Sequence, residues 1–498
     1  MAIRTLTSLP VGPDRESFDR LAERWPLVPM WTELLADAAT PVSLFHALTG
    51  TAPGALLESV ERSEQWGRYS SVACDPAGIL SVDERGVRVE RQSRELPFAS
   101  IEQGTGPMEA LKSLAAQLRT PRLPDLPPII GGLVGFVAYE AASLLDGGPR
   151  LPPADGPAMR FLLTDRAAVF DHWRQRLLLV AHVSGKEGHT VGVRALEDLA
   201  DRVASTGPLP LEAIDVAASP LEARSNMEDE RFLEGVRRIK ERIANGDIFQ
   251  AVLSRRLSVP APQGGLSIYR RLRVTNPAPY MFFLRLPGLE LAGSSPEPLV
   301  RVQGRRVVSR PIAGTRPRGG DPSEDLRLER DLLADPKERA EHAMLVDLAR
   351  NDLGRVCRPG TVTPTELFQV KRFSRVMHLV STVEGELLDG LTALDALAAA
   401  FPAGTVTGAP KRRAMEIIAE NEPTPRGPYA GAVGYLGFDG DLDFCITIRT
   451  AEVSNGVAHI QAGAGVVADS DPHRELAETE AKAAAVLAAA RASEGSGR

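Results

Sequence analysis

An Asn-Gly pair at residues 455–456 constrains the fold of this chain more than any other short stretch. It separates two runs rich in apolar and β-branched residues, FCITIRTAEVS before the pair and VAHIQAGAG after it. Asn-Gly is a favoured two-residue turn between antiparallel strands, and the turn fixes which residues face each other. If the pairing runs back along both strands, Arg449 lies opposite Ala462. The sequence therefore predicts an antiparallel hairpin with a guanidinium beside the glycine-rich backbone of residues 463–465.

Further stretches predict more antiparallel sheet with helices packed against it. PLVRVQGRRVVSRPI, at 298–312, is a second strand–turn–strand pattern. Before the apolar strand at 248–259, an Asn-Gly pair ends a helical pattern. The apolar stripe of that helix consists of Phe232, Val236, Ile239 and Ile243. We expect an α/β fold with largely antiparallel sheets flanked by helices.

Composition along the chain suggests two main regions joined by a connector. Residues 29–204 mix short apolar runs with turn signals and form the first region, after an N-terminal extension at 1–28. Prolines and small residues with weak periodicity predict a linker at 205–228. The second region covers 229–488 and is followed by a flexible tail at 489–498. GGLVGFVAYE at 131–140 resembles GAVGYLGFDG at 431–440, which hints at equivalent strands in the two regions.

Charge and cysteine content exclude several classes of function. The net charge of −7 argues against a nucleic-acid partner, which needs a concentrated cationic face. Cys74, Cys357 and Cys445 lie far apart, without the spacing of a disulfide framework or a zinc site. The N-terminus lacks the apolar run of a signal peptide, and no segment is apolar for long enough to span a membrane. We expect a cytoplasmic protein without membrane association.

Two pairs of glutamates form the most suggestive pattern for chemistry. DPKERAE contains Glu338 and Glu341, and DPHRELAE contains Glu475 and Glu478. In both segments Asp is a suitable N-cap with Pro at the first helical position, so each pair lies on one face of a helix start. Alone, Glu338 fits a capping box on Asp335, and the other three glutamates fit a solvated helix face. Together, four carboxylates suit Mg²⁺, which binds few carboxylates along with waters and an anionic substrate.

Groups that bind anions occur in the same half of the chain. They are Arg449, the backbone at 463–465, and GTVTGAPKRR, in which glycine-rich chain enters a helix with Lys411 in its first turn. Ordinary helix initiation explains that last motif as well. The combined pattern predicts a metal ion that joins an acidic protein to an acidic substrate.

Several long motifs resemble those of the chorismate-utilising enzymes, in particular the large-subunit family of anthranilate synthases. The motifs are PIAGTRPRG (311–319), EHAMLVDLARNDLGRV (341–356), VMHLVSTVEG (376–385), FPAGTVTGAPK (401–411), AGAGVVADSDP (462–472) and ETEAKA (478–483). The resemblance covers about 29–485 and is strongest from 229 onward. It implies the family's sandwich of largely antiparallel sheets flanked by helices. It also implies a Mg²⁺-dependent reaction of chorismate and ammonia to anthranilate and pyruvate through aminodeoxyisochorismate, the first step of tryptophan biosynthesis.

The resemblance assigns roles to the charged residues. Glu341 and Glu478 match the glutamates that join Mg²⁺ to the ring carboxylate of chorismate, with Glu338 and Glu475 beside them. Glu297, in SSPEPLV, matches the general acid that protonates the departing hydroxyl. Without the resemblance, Glu297 is a loop glutamate at a turn.

The remaining site residues are carried over from the same motifs. His378 matches a histidine linked to pyruvate elimination, and Thr405 matches a further site residue. By themselves, they fit a structural histidine and a strand-end hydroxyl, and Tyr429 fits core packing. The predicted substrate-binding residues are Tyr429, Arg449, Gly463, Ala464, Gly465, Ala313, Gly314, Thr315 and Lys411.

Two positions distinguish the activities within the family. Relatives that add water carry a lysine base where this chain has Gln250, and an amide cannot activate water in that way. Relatives that make 4-amino-4-deoxychorismate carry a nucleophilic lysine where this chain has Ala313. The resemblance therefore favours anthranilate synthase. The alternatives are 4-amino-4-deoxychorismate synthase component I and a non-catalytic subunit that binds chorismate or tryptophan.

The resemblance also implies a partner and an inhibitor. No cysteine lies in a glycine-flanked elbow, so the ammonia should come from a separate glutamine amidotransferase chain. LLESVE (56–61) and NPAPYMFF (276–283) resemble the elements that bind L-tryptophan as a feedback inhibitor. The matched tryptophan-binding positions are Leu57, Ser59, Pro279, Tyr280, Met281, Val433 and Tyr435.

Overall fold

The fold was obtained as a computed structural model. It describes residues 9–491 except for 36, 60–66, 95–100, 102–105, 125, 146, 206, 208, 212–221 and 373–375. Most of the predicted tail at 489–498 and part of the predicted linker lie outside the described residues.

Strands and helices alternate along the whole chain. The strands are β1 (Leu27–Leu34), β2 (Gly54–Glu58), β3 (Tyr69–Cys74), β4 (Gly78–Asp83), β5 (Gly86–Gln92), β6 (Gly132–Val137), β7 (Met159–Thr164), β8 (Arg166–Asp171), β9 (Arg176–Ser184), β10 (Arg224–Ser225), β11 (Gln250–Pro260), β12 (Tyr280–Leu286), β13 (Leu289–Ser295), β14 (Pro298–Gln303), β15 (Arg306–Ser309), β16 (Ile312–Pro317), β17 (Thr363–Arg372), β18 (Val376–Glu386), β19 (Gly408–Ala409), β20 (Ala432–Leu436), β21 (Leu442–Ile446), β22 (Thr450–Ser454) and β23 (Val457–Val466). The α-helices are α1 (Arg15–Ala22), α2 (Pro41–Thr49), α3 (Pro107–Gln117), α4 (His189–Ser205), α5 (Asp229–Ala244), α6 (Gly264–Thr275), α7 (Pro322–Ala334), α8 (Pro336–Gly354), α9 (Ala393–Ala400), α10 (Lys411–Asn421) and α11 (Pro472–Ala490). Two short 3₁₀ helices cover Tyr139–Leu144 and Gly404–Val406.

Two large sheets form the centre of the fold. Sheet A has the strand order β1-β9-β8-β3-β2-β12-β13-β22-β23-β11-β10, and β19 also pairs with β11. Sheet B has the order β16-β18-β15-β14-β21-β20-β6-β7-β4-β5, and β17 also pairs with β18. Neighbouring strands are antiparallel throughout the described residues. The predicted α/β fold with antiparallel sheets is confirmed.

The sheets pack face to face, and helices cover both outer surfaces. Phe282 and Leu284 of sheet A meet Phe136 and Leu162 of sheet B in a buried cluster between the sheets. Helices α2, α4, α6 and α11 bury apolar side chains on the outer face of sheet A, and α3, α8 and α9 do so on sheet B. Each fully buried large apolar side chain contributes about 1.5–3 kcal/mol of transfer free energy. The result is a sandwich with four layers.

Local signals explain where the functionally interesting helices begin. Asp335 is the N-cap of α8 and accepts from the backbone of Lys337 and Glu338, and Pro336 follows it. Asp471 caps α11 in the same way, and Pro472 follows. At the first position of a helix the backbone N–H has no partner within the helix, so proline loses no hydrogen bond by lacking this N–H. The Asp-Pro prediction for both helix starts is confirmed.

The Asn-Gly hairpin forms with the predicted turn. Ser454 pairs with Val457, and the ladder continues to Ala451 and Ile460, where it ends. Arg449 does not lie opposite Ala462 in a ladder, which corrects the prediction. Its φ of 52° takes the chain out of the extended conformation before the ladder reaches it.

The two predicted regions do not form separate sheets. In sheet A, β2 pairs with β12, and in sheet B, β6 pairs with β20. The strands of the two similar stretches are therefore direct neighbours, with Gly135 facing Gly434. Within the predicted extension, α1 buries Phe18 and β1 begins at Leu27. The assignment of distinct roles to 29–204 and 229–488 stays a prediction.

The described helices include none that combines the length and apolar character needed to span a membrane.

Candidate active site

Most of the predicted catalytic residues lie where α8 and α11 meet the edges of the two sheets. Helix α8 packs on β16 and β18, and α11 packs on β23 and β11. The 3₁₀ helix at 404–406 contacts α8, β11 and β23. Because these elements come from distant parts of the sequence, side chains from several segments can surround one substrate.

Glu297 has the properties of a proton donor at neutral pH. It lies between β13 and β14, and its backbone carbonyl accepts from the Ile446 amide at 3.0 Å. Burial raises the pKa of its carboxyl to about 7, and the nearby Thr405, Lys482 and Arg449 offset this only in part. The Thr405 hydroxyl is buried beside this carboxyl, without a well-aligned hydrogen bond to any described residue. A carboxylic acid that is about half protonated near pH 7 suits general acid catalysis.

The four predicted glutamates approach one another but are not equivalent. Burial raises the pKa of Glu341, and repulsion from Glu338 and Glu478 adds to the shift. Burial likewise raises the pKa of Glu475, where Glu478 again contributes. Glu338 is engaged by Arg316, with a nitrogen–oxygen distance of 3.0 Å. The starts of α8 and α11 therefore face each other with their acids close enough to interact.

Lys482 is a further residue of the site, and none of the sequence motifs above pointed to it. Its ammonium lies 2.6 Å from Glu478 and donates to the carbonyl of Gly463 at 3.0 Å. It also lowers the pKa values of Glu297, Glu341 and Glu475 in opposition to burial. The i,i+4 spacing of Glu478 and Lys482 on α11 was the available signal.

The carboxylates suit a magnesium ion, although they do not form a closed cage. Within the described ranges, no three His, Cys, Asp or Glu side chains cluster closely enough to hold a metal. Mg²⁺ commonly uses only one or two protein carboxylates and completes its shell with water and a substrate anion. Because burial, and after it repulsion from Glu338 and Glu478, raises the pKa of Glu341, a cation near it would stabilise the charged carboxylate. The donor set fits the predicted ion.

Arg449 carries a guanidinium without a hydrogen bond or ion pair to any other described side chain. Burial lowers its pKa, while Tyr429, Glu478 and Glu297 act in the opposite direction. The Tyr429 hydroxyl lies close to β23, because a Cβ on Gly463 would be 2.9 Å from its oxygen. Burial raises the pKa of Tyr429 to about 12, so the hydroxyl stays a donor. Together these groups form a cationic, hydrogen-bonding corner.

The three residues of the glycine-rich stretch play different parts. Ala464 is fully buried and points away from the site side of β23. The flanking Gly463 and Gly465 leave room for Tyr429 and Gln250, whose side-chain nitrogen would lie 2.9 Å from a Cβ on Gly465. Beyond Ile460, β22 no longer pairs with this strand. Among the described residues, the backbone here therefore has no partner strand on that edge, although Lys482 donates to the Gly463 carbonyl.

His378 is placed on β18, beside the register shift at Gly314 in β16. Its Nδ1 lies 3.0 Å from the Gly314 carbonyl and 3.1 Å from the Thr315 hydroxyl. Donation to the carbonyl from Nδ1 leaves the lone pair on Nε2. Burial lowers the pKa of the ring, and Arg449 lowers it further. Ala313 lies on β16, opposite Leu379 of β18.

Lys411 does not offer a free cation to a substrate, which corrects the prediction. Its ammonium pairs with Asp352 at 3.0 Å and reaches the Ala400 carbonyl at 3.4 Å. Asp352 borders a cavity of about 40 Å³ that Glu297 and Thr405 also line. The helix begins at Lys411 with Pro410 as its N-cap, so Lys411 lies in the first turn as predicted. Ordinary helix initiation, together with the ion pair, accounts for this motif.

All seven predicted tryptophan-binding residues line a second, much larger cavity of about 1050 Å³. It lies between the sheets, where β2 runs next to β12. The Ser59 hydroxyl is buried without a partner among the described residues. Tyr280 donates to Asp443 at 3.0 Å, and burial raises the pKa of Asp443. The cavity therefore combines apolar walls with many polar and charged side chains, among them Arg301, Glu366 and Asp443.

Comparison with known proteins agrees with this geometry. The profile of the chorismate binding enzyme family matches residues 70–488. Anthranilate synthase component 1 of Streptomyces coelicolor is 46% identical over 495 residues, which cover 97% of this chain and 92% of that protein. The Geobacillus stearothermophilus protein of that name is 44% identical, with 95% and 96% covered. The crystal structure of anthranilate synthase component I from Streptococcus pneumoniae superposes with a TM-score of 0.75 at 35% identity, covering 91% of this chain and 98% of that one. The chain belongs to the chorismate-binding enzyme family, in the group of anthranilate synthase component 1 proteins.

Proposed function

We propose that this chain is the chorismate-binding component of an anthranilate synthase. It converts chorismate and ammonia to anthranilate, pyruvate and water through aminodeoxyisochorismate, as the first step of tryptophan biosynthesis. The observation that carries the proposal is the proximity of Glu297, with a pKa of about 7, to the guanidinium of Arg449, each close enough to shift the other's pKa. Chorismate is a dianion that must lose a hydroxyl. It needs both a cation and an acid.

In the first step, ammonia forms a bond to ring carbon 2 and the ring double bonds shift. The bond between ring carbon 4 and its hydroxyl breaks, and Glu297 gives its proton to that oxygen, which leaves as water. The new ammonium group loses one proton, which balances the proton taken from Glu297. Arg449 and Tyr429 hold the enolpyruvyl group during this step, while Gln250 faces the ring without acting as a base.

In the second step, His378 acts as the base through Nε2, because Nδ1 is held at the Gly314 carbonyl. It removes the proton from ring carbon 2, and the bond between ring carbon 3 and the ether oxygen breaks. The electron pair makes the ring aromatic, and the departing enol takes up a proton to become pyruvate. A lowered pKa keeps the imidazole neutral and able to accept this proton.

Glu341 and Glu478 would hold Mg²⁺, with Glu338 and Glu475 beside them. When bound, the ion neutralises the ring carboxylate and withdraws electron density from the ring. Lys482 balances the remaining negative charge at the start of α11, since its ammonium lies 2.6 Å from Glu478.

The ammonia would come from a glutamine amidotransferase subunit, and L-tryptophan would inhibit through the large cavity. The buried cysteines support the need for a partner, because burial raises the pKa values of Cys74, Cys357 and Cys445 and so opposes thiolate formation. Glutamine should therefore support turnover only after the partner is added, whereas ammonium salts at alkaline pH should support it alone. Turnover of glutamine by the isolated chain would contradict this.

The direct test is anthranilate fluorescence in a mixture of chorismate, an ammonium salt and Mg²⁺. We expect fluorescence with the wild-type chain and a loss of about 10²–10⁴-fold with Glu297→Gln, the usual range for a removed general acid. Accumulation of 4-amino-4-deoxychorismate would favour the runner-up, although Ala313 offers no nucleophile for it. Chorismate binding without any product would identify a non-catalytic subunit.

A further inference from the structure

Arg426 lies at the centre of a buried polar network directly beneath the proposed active site. It is 1% exposed, and its partner Glu422 has a side-chain exposure of 4%. The two form a bidentate pair, with Nε donating to Oε2 at 2.9 Å and a terminal nitrogen donating to Oε1 at 2.7 Å. Burying such a pair costs several kcal/mol per ion before attraction offsets it. A pair of apolar side chains would stabilise the core equally well. Stability alone therefore does not explain why a charged pair is buried here.

The other donors of Arg426 reach two segments that carry proposed site residues. One terminal nitrogen donates to the Val406 carbonyl at 2.7 Å, immediately after Thr405 in the 3₁₀ helix. The second donates to the Val252 carbonyl, also at 2.7 Å, two residues after Gln250 on β11. Because the guanidinium is planar and rigid, these bonds fix the distance between the two segments.

The third segment held by this residue is the turn that carries Tyr429. The Arg426 guanidinium lies 5.6 Å from the centre of the Tyr429 ring and 4.5 Å from that of Tyr139. Two backbone amides at the start of the turn, those of Arg426 and Gly427, donate to Glu140 at 2.7 and 3.0 Å. The tyrosine ring therefore rests on the cation, with its hydroxyl on the opposite side near β23.

The turn that carries Tyr429 has a strained backbone, which contacts from outside the turn must hold in place. Gly427 has a φ of 64°, and Ala430, which is fully buried, has a φ of 61°. A left-handed alanine costs on the order of 1–2 kcal/mol and persists only where the surroundings hold it. Tyr429 lies between these two residues. Its ring position thus depends on contacts outside the turn, and Arg426 supplies them.

We propose that Arg426, with Glu422 as its counter-ion, is a positioning residue that sets the relative placement of Tyr429, Thr405 and Gln250. The inference rests on the proposed function, because it assumes that these three groups surround the reacting ring. Lysine would keep the charge beside Glu422 but cannot bridge both carbonyls with a planar fork. The geometry of the site would loosen while its charges remain.

The test compares Arg426→Lys with the matched control Arg160→Lys. Arg160 also forks onto a carboxylate, Glu90, and also donates to a carbonyl, that of Pro287 at 2.9 Å. It has a side-chain exposure of 12% and lies on β7, away from the catalytic residues. Anthranilate formation is measured at a temperature at which circular dichroism shows each variant to be folded. We expect kcat of Arg426→Lys to fall about 10- to 100-fold, because a displacement of ~1 Å can cost 100-fold.

The chorismate KM should change by less than about threefold, since Arg449 and the glutamates are untouched, whereas uniform loss of binding would raise KM instead. Inhibition by tryptophan should be unchanged. Arg160→Lys should lower stability without changing kcat. If folded Arg426→Lys has a kcat within about twofold of the wild type, the inference about Arg426 is wrong. The proposed function is tested separately, by whether the wild-type chain forms anthranilate at all, and it stands as long as the wild type does so.

A double-mutant cycle separates positioning from a purely structural role. If Arg426 acts through Tyr429, Tyr429→Phe will cost less in the Arg426→Lys background than in the wild type. Additive effects would contradict the proposal. Should Arg426→Lys fail to fold, Glu422→Gln takes its place in the same cycle, because it weakens one arm of the fork while preserving shape.

Discussion

The clearest prediction concerns the ionisation of Glu297. The pKa of about 7 arises mainly from burial, and the acid is useful only while it is protonated. The protonated fraction is ~0.9 at pH 6 and ~0.1 at pH 8 for a group of this pKa. The rate at saturating chorismate should therefore fall about tenfold between pH 6 and pH 8. Total ammonium must be adjusted at each pH so that free ammonia stays constant, because a larger fraction of the ammonium ion loses its proton as pH rises.

The variant Glu297→Gln is the control for this fall in rate between pH 6 and pH 8, the descending limb of the pH profile. Its residual activity should lack the descending limb near pH 7, because the amide does not titrate. If the limb persists with the same midpoint in Glu297→Gln, another group causes it and the assignment of the general acid is wrong. A wild-type rate that rises steadily to pH 9 at constant free ammonia would refute the reasoning as well.

The same ionisation predicts a change in stability of known sign. Because folding raises the pKa of this carboxyl above its ordinary value of 4.5, the folded state favours the neutral form. The contribution of this carboxyl to the free energy of unfolding is fully present below about pH 4.5. It is lost as pH rises through about 7, where the buried group must ionise. Glu297→Gln removes that cost. It should melt at a higher temperature than the wild type at pH 8, with a difference that shrinks towards pH 5.

Three further outcomes test other parts of the site. Gly463→Ala should lower kcat/KM about tenfold or more, because its Cβ would lie 2.9 Å from a tyrosine hydroxyl and 3.0 Å from a backbone carbonyl; Gly106→Ala, which meets nothing within 4 Å, is the control, and equal loss in both would count against a steric cause. Ser59→Phe should relieve inhibition by tryptophan while retaining turnover, as measured by the tryptophan concentration for half inhibition; unchanged sensitivity would remove the large cavity from the proposal. Glu341→Gln should raise the Mg²⁺ concentration for half-maximal activity more than Glu338→Gln does, because Glu338 is engaged by an arginine; full activity of the wild type in excess chelator would argue against the ion.

Short-range signals in the sequence were sufficient for the local structure. Asp335 and Asp471 cap their helices because an N-cap depends on only a few neighbouring residues. The stripe at Phe232, Val236 and Ile239 is buried on α5 for the same reason. The turn at 455–456 fixed its own register. Each of these depends on residues within about one helical turn or one hairpin.

Long-range arrangements were harder to predict, and the errors share one cause. The pairing of Lys411 with Asp352 joins residues 59 apart in sequence, so no local pattern indicates it. The same holds for Arg426, whose role emerges only when β11, the 3₁₀ helix at 404–406 and the turn at 427–431 come together. The position of Arg449 was wrong because the ladder ended earlier than the turn alone could indicate. The predicted roles of the remaining site residues came from the resemblance rather than from their spacing.

The interleaved strand order has a consequence for synthesis of the chain in the cell. Strand β2 must wait for β12, and β6 must wait for β20, some 300 residues further along. At ~5–20 residues per second, β6 would remain without its neighbour for roughly 15–60 seconds while the ribosome makes the rest. During that interval, an apolar edge strand is exposed to other nascent chains. Expression of this protein should therefore depend on chaperones that shield strand edges, and cutting the gene at the connector should yield two insoluble halves rather than two working ones.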